Sequence, residues 1–163
     1  HVLDLEPFPL AQRGGAVQAS LRMADGPIGS DLISYGGADM ILGMEPVEAL
    51  RYLEYLAPGG SLVTAAEPFE NIPDYPPLDV VHDAVRSVPD AVLIEAVRLA
   101  REAGTHRAAN VVMVGAASTR LPLHIDILEA CITEGFAPKG NKVVAANLAA
   151  FRSGREAVEP ERV

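Results

Sequence analysis

Four residues near the start of the chain, Gln12-Arg13-Gly14-Gly15, have the types and spacing to hold an anion. Glycines let backbone N–H groups approach a ligand closely, and a neighbouring guanidinium grips phosphate or carboxylate with two parallel hydrogen bonds. The same residues also read as a tight turn into a strand, with the arginine solvated. They are not a Walker loop, since no Gly-Lys-Ser/Thr follows, and G-x-G-x-x-G occurs nowhere in the chain. Glu45, directly before Pro46, is the second candidate. At the end of a parallel strand it would stand where α/β sheets place ligands. At the start of a helix it would simply complement the positive end of that helix.

Two acid–histidine groups have the chemistry of a divalent metal site. Asp79, His82 and Asp83 would meet on one helical turn, although Pro76 and Pro77 beside them oppose a helix. His124, Asp126 and Glu129 are the thinner set, because helical positions two apart point in different directions. No serine stands in a nucleophile-elbow setting, so acyl transfer has no support. Cys131 is the only cysteine. It can form no internal disulfide and no cysteine-rich metal or iron–sulfur site, and in an apolar helical pattern it reads as buried packing.

The scaffold that must position these residues is clearest over residues 37–63. Residues 38–44 are a short apolar run with one acid, Asp39, which suits a strand buried on both faces. Pro46 then stands at the first helical position, where its missing N–H is no loss. Ala49, Leu50, Leu53, Leu56 and Ala57 recur at helical spacing, opposite Glu48, Arg51 and Glu54. Pro58-Gly59-Gly60 stops that helix and residues 61–66 begin a second strand. Strand, helix and strand make a parallel βαβ crossover, which needs about 10–12 connecting residues.

Around this unit, residues 16–23 alternate Val17, Ala19, Leu21 and Met23 with polar neighbours, predicting a strand with one covered face. Pro68, Pro73, Pro76 and Pro77, with Asn71 and Asp74, predict a surface loop. Residues 84–88 read as a short strand, and residues 89–103 as a helix stopped by Gly104. Residues 110–117 combine the valines of a strand with the alanines of a buried helix, and helix is preferred. Residues 123–134 predict a helix. Another follows from Pro138, with Val143, Val144, Leu148 and Phe151 on one face, and residues 155–163 form a charged tail.

With 163 residues, 49% of them apolar and 21% charged, the chain has the makings of one globular domain spanning residues 1–163. A net charge of −9 argues against nucleic acid and anionic membranes as partners. No apolar run reaches the roughly 18 residues of a membrane span, and no basic-then-apolar leader opens the chain, so a cytoplasmic location is expected.

Several separated motifs, in order, resemble one family. They are Ala11-Gln12-Arg13-Gly14-Gly15-x-Val17, Ala38-Asp39, Gly43-x-Glu45-Pro46-x-Glu48-Ala49-Leu50-Arg51, Asn110-Val111-Val112-x-x-Gly115-Ala116 and Asn147-Leu-x-Ala-Phe151-x-x-Gly154. The likeness is to the gamma subunit or domain of 2-oxoacid:ferredoxin oxidoreductases, which act on pyruvate, ketoisovalerate and similar 2-oxoacids. Within that family the chain looks most like the small (beta) subunit of the indolepyruvate enzymes. The family's glycine-rich first strand–turn–helix has no counterpart before Leu10, and Phe8-Pro9 stands where relatives carry His-Gly.

The resemblance implies an α/β fold: a three-layer α/β/α, Rossmann-like domain with a mostly parallel sheet. It implies a non-catalytic companion subunit in the oxidative decarboxylation of 2-oxoacids to acyl-CoA. Thiamine diphosphate and the iron–sulfur clusters would lie on the large partner subunit, with ferredoxin as indirect electron acceptor and coenzyme A near by. Gln12, Arg13, Gly14, Gly15 and Glu45 would face that partner's cofactor vestibule or the subunit interface, and this chain would bind no cofactor or metal itself. Two other readings compete. Leu56-Ala-Pro-Gly-Gly-Ser-Leu62 resembles a turn of S-adenosylmethionine-dependent methyltransferases, so a stand-alone nucleotide- or S-adenosylmethionine-binding Rossmann-like enzyme is one. The other is an orphan paralogue that kept the fold and forms a homodimer when isolated.

Overall fold

The computed structural model describes residues 2–4, 17–30, 32–69 and 74–158. Its centre is a parallel sheet of three strands in the order β3-β4-β5, where β3 is Ala38–Gly43, β4 is Leu56–Ala65 and β5 is Ala91–Ile94. Helix α1 (Pro46–Arg51) connects β3 to β4, and α2 (Leu78–Arg86) connects β4 to β5. Four further helices follow: α3 (Ala96–Glu102), α4 (Ala109–Ser118), α5 (Ile125–Phe136) and α6 (Asn141–Glu156). A separate antiparallel pair joins β1 (Val2–Asp4) to β2 (Leu21–Met23).

The period of two along the strands separates the layers. Ile41, Leu62, Ala91 and Leu93 point to one face, where they pack with Ala49 and Leu50 of α1 and Val85 of α2. Met40, Val63, Ala65, Val92 and Ile94 point to the other, against Ala96 and Ala100 of α3, Val112 and Met113 of α4, and Phe151 of α6. The result is the α/β/α layering, with helices on both sides of a Rossmann-like sheet. Within β4, Leu62, Val63 and Thr64 are wholly inaccessible to solvent, as a strand covered on both faces must be.

The second layer depends on a close crossing of α4 and α6. Gly115 and Gly154 carry no side chain at the point where the two backbones meet. A Cβ on Gly115 would lie 2.0 Å from the Phe151 carbonyl oxygen, and one on Gly154 would lie 1.9 Å from that of Val112. Neither backbone oxygen can step aside without moving its helix. Arg120 Nη2 donates to Asp90 Oδ1 at 2.8 Å and the Ser61 hydroxyl donates to the same carboxylate, joining the segment after α4 to the middle of β4 and to the residue that precedes β5. These two bonds hold the Asp90 carboxyl below its ordinary value of 3.8, with Arg120 the larger cause.

Several elements differ from expectation. The helix after Pro46 ends at Arg51, where Tyr52 donates its N–H to Ala49, and a 3-10 turn over Leu53–Tyr55 replaces its continuation. Strand β4 therefore begins at Leu56 and passes through Pro58-Gly59-Gly60. Ala57, preceding a proline, is steered away from helix, and Gly59 has φ +82. Ala38 pairs with Leu56 but Met40 with Ser61, so residues 57–60 bulge out of the ladder.

Residues 84–88 are not a strand: residues up to Arg86 complete α2, whose start accepts Pro77 at the cap position. The apolar run Ala91–Ile94, expected as helix, is β5, because the open edge of β4 gives its backbone partners. Leu62 donates to the Asp90 carbonyl at 2.9 Å and Ala66 to the Ile94 carbonyl at 2.8 Å. The strand expected over residues 16–23 is realised only as Leu21–Met23, and Val17 and Leu21 remain more than half exposed. Residues 110–117 are helical, within α4.

Two outcomes follow. Gly154→Ala, although a better helix former, should destabilise the fold by about 1–3 kcal/mol or more, because the added methyl overpacks a backbone contact. Urea unfolding measures it, and an unchanged midpoint would contradict the crossing described. Asp90→Asn should lower the unfolding temperature at neutral pH. A carboxylate with a depressed folded pKa stabilises above its unfolded value, so the gap between variant and parent should close as pH falls below 3.8.

Candidate functional site

Open parallel sheets place ligands beyond the carboxyl ends of their strands, where helix N-termini offer unpaired N–H groups. Here each of those ends is followed by a glutamate. Strand β3 stops at Gly43, and a Cβ there would meet the Ala49 methyl at 2.5 Å, so glycine lets α1 settle directly on the strand. Glu45 then takes extended backbone with Pro46 at the first helical position. Its Oε2 accepts the Glu48 N–H at 2.7 Å and its Oε1 accepts the hydroxyl of Tyr75. Glu45 is thus the cap of α1 and the anchor of the loop bearing Tyr75.

Past β4, Glu67 reaches across to the start of α3. Its carboxylate accepts from Ala96 N at 3.1 Å and Val97 N at 2.9 Å. His82 of α2 donates from Nε2 to the Ala66 carbonyl at 2.8 Å, fixing the same turn from the other side. Glu95, after β5, pairs with Arg98 at 2.7 Å, and Arg98 also holds Glu102 at 2.8 Å. The starts of α1 and α3 are thus occupied by the chain's own carboxylates, Glu45 and Glu67.

Beside β3 lies a cavity of about 540 Å³. Its lining includes Met40, Leu42 and Met44, Val47 and Tyr52, and residues 17–20. Glu45 and Tyr75 stand on its lining, which is otherwise largely apolar.

Of the residues singled out in the sequence, Gln12, Arg13, Gly14 and Gly15 lie outside the described residues. Asp79, His82 and Asp83 do share one helix, but Asp79 accepts its neighbour Val80 N–H, Asp83 pairs with Arg86 and His82 holds Ala66. Glu129 is gripped by both arms of Arg152 at 2.7 Å, which pulls its carboxyl down and raises the guanidinium. Among the described residues, no three His, Cys, Asp or Glu side chains are placed to hold a metal ion. Cys131 is exposed on α5, not buried as its helical pattern implied. None of the described helices is long and apolar enough to cross a membrane. Glu67 was missed in the sequence, although Ala65-Ala66-Glu67 repeats the strand-end placing of Gly43-Met44-Glu45.

Comparison with known proteins agrees with this architecture. The chain is 32% identical over 163 residues to the indolepyruvate oxidoreductase subunit IorB of Archaeoglobus fulgidus, covering 94% of this chain and 79% of that protein. It is 34% identical over 164 residues to the subunit of the same name from Thermococcus kodakarensis, again covering 94% and 79%. A solved 2-oxoglutarate:ferredoxin oxidoreductase from Magnetococcus marinus, with 2-oxoglutarate, coenzyme A and succinyl-CoA bound, superposes with a TM-score of 0.58 at 21% identity. That match covers 96% of this chain but 25% of the solved one, and what it establishes is the shared fold. The profile of the pyruvate ferredoxin/flavodoxin oxidoreductase family matches residues 1–157, and the chain belongs to that family.

Proposed function

We infer that this chain is the small, non-catalytic companion subunit of a ferredoxin-dependent 2-oxoacid oxidoreductase of the indolepyruvate or other aryl-pyruvate type. The enzyme would oxidatively decarboxylate its 2-oxoacid to the acyl-CoA. Thiamine diphosphate and the iron–sulfur clusters reside on the large subunit, which passes electrons to ferredoxin, and this chain carries neither. The relatives named above are themselves subunits, which supports that assignment.

The observation that carries the reading is the filled carboxyl edge of the sheet. A self-contained nucleotide enzyme of this architecture keeps a helix start free for phosphate. Here Glu45 and Glu67 lie on the starts of α1 and α3, and their negative charge repels a second anion. The same carboxylates weigh against the nucleotide- and S-adenosylmethionine-binding alternative. In this reading Gln12, Arg13, Gly14 and Gly15 face the partner's cofactor vestibule or the coenzyme A path. Glu45 shapes the helix beside that interface. The partner binds through exposed apolar surface such as Ile127 of α5 and Leu123 just before it.

Affinity purification from the native cell tests the assignment. The chain should be recovered with a larger, thiamine diphosphate-containing subunit, and recovery alone would contradict it. Within the reconstituted complex, Arg13→Ala should lower turnover about 10–100-fold, the loss of one charge-assisted hydrogen bond worth ~1.5–3 kcal/mol. Glu45→Ala should leave turnover near the parent value and lower stability by about 1 kcal/mol through the lost cap. The reverse ranking would make Glu45 the functional residue.

A further inference from the structure

We propose that exposed cations gathered where α3 ends and α6 begins form a transient docking surface for the acidic face of an electron-carrier protein. The inference deepens the companion role and rests on it. Charge is unevenly spread along this chain. Residues 103–125 and 135–155 hold six Arg and Lys and no Asp or Glu, so all 22 acids of a chain with net charge −9 lie elsewhere. The fold brings the two acid-free stretches together: α4 crosses α6, and the 3-10 turn His106–Ala108 touches both α3 and α6.

Arg101, Arg107, Lys139 and Lys142 share one end of that layer. A Cβ on Gly104 would lie 4.0 Å from the Ala146 methyl. Arg101 and Arg107 stand three residues to either side of Gly104, and Lys142 lies one turn before Ala146 on the same face of α6. Lys139 closes the 3-10 turn Ala137–Lys139 that leads into α6, its ammonium 5.2 Å from the centre of the Phe136 ring. All four cations are exposed, and among the described residues none of them enters an ion pair. By contrast Arg51, Arg86, Arg98, Arg120 and Arg152 each hold a carboxylate. Glu102, the acid beside Arg101, is already held by Arg98.

None of the four side chains is buried, so nothing here encloses a small anion. An extended polyanion or an anionic membrane would overhang the patch and meet the acids around it, whereas a compact acidic face covers the patch alone. Exposed lysine and arginine suit a brief, electrostatically steered encounter. A permanent subunit contact has an apolar centre poor in lysine. The exposed Leu123 and Ile127, which suit such a contact, stand at the start of α5, while Lys139 and Lys142 follow its end. In the proposed reaction the protein that comes and goes is ferredoxin, and the surface is assigned to it.

Steady-state kinetics of the complex reconstituted with the large subunit test the assignment. Arg107→Glu combined with Lys142→Glu should raise the KM for ferredoxin about tenfold or more at low salt. The difference should shrink as salt screens the charges. Turnover with methyl viologen, which accepts electrons without protein docking, should stay at the parent rate. Arg86→Glu, an exposed cation of α2, should leave the KM for ferredoxin unchanged. An unchanged KM in the double variant would overturn the proposal. So would an equal loss of viologen turnover, which would make the patch part of the assembly, or an equal rise in KM from Arg86→Glu. A parent complex that reduces viologen but not ferredoxin would overturn the docking alone. One that reduces neither would overturn the companion role and the docking with it.

Discussion

Burial of β4 on both faces is the constraint on which the rest of the molecule depends. Leu62, Val63 and Thr64 have no solvent contact, so each face of the strand needs its own cover. One face takes the crossover helices α1 and α2, and the other takes α3, α4 and α6. With few aromatic side chains, Ala, Val and Leu must fill both layers, and small side chains fill space only if backbones come close. That is why Gly115 meets Gly154 and why Gly43 lies under Ala49. The motifs that mark the family are, in large part, the points of closest backbone approach.

The same packing decides the chemistry. The helices α1 and α3 start at the carboxyl edge of the sheet, where an anion would ordinarily complete them. Glu45 and Glu67 do so from within the chain. Satisfying those N–H groups internally stabilises the edge and fills the anion positions at the starts of α1 and α3 in one step. Tyr75 adds to this by donating to the Glu45 oxygen that α1 leaves free. A domain built this way positions a neighbour's chemistry better than it performs its own.

Much of this was legible in the residues. Pro46 after Glu45 and the apolar run before them fixed the β3–α1–β4 crossover, and the role of Glu45 as a cap was one of its two readings. The run Ala91–Ile94 was not legible, because four apolar residues fit a strand or a helix equally until the edge of β4 supplies partners. The end of α1 at Arg51 was hidden for a similar reason: Leu53, Leu56 and Ala57 keep a helical spacing while serving a 3-10 turn and a strand. The bonds from Glu67 to Ala96 and Val97 span about thirty positions and have no local signature. Gly115 and Gly154 were visible as motif letters, but their mutual contact was not.

In the proposed role this chain contributes to 2-oxoacid oxidation only as a companion. Its most direct measurement is the rate of indolepyruvate-dependent ferredoxin reduction in the presence of coenzyme A, with the large subunit and this chain assayed separately and together. Turnover is expected only when both are present, with no activity from this chain by itself. Full activity of the large subunit alone, or turnover by this chain without it, would contradict the companion role.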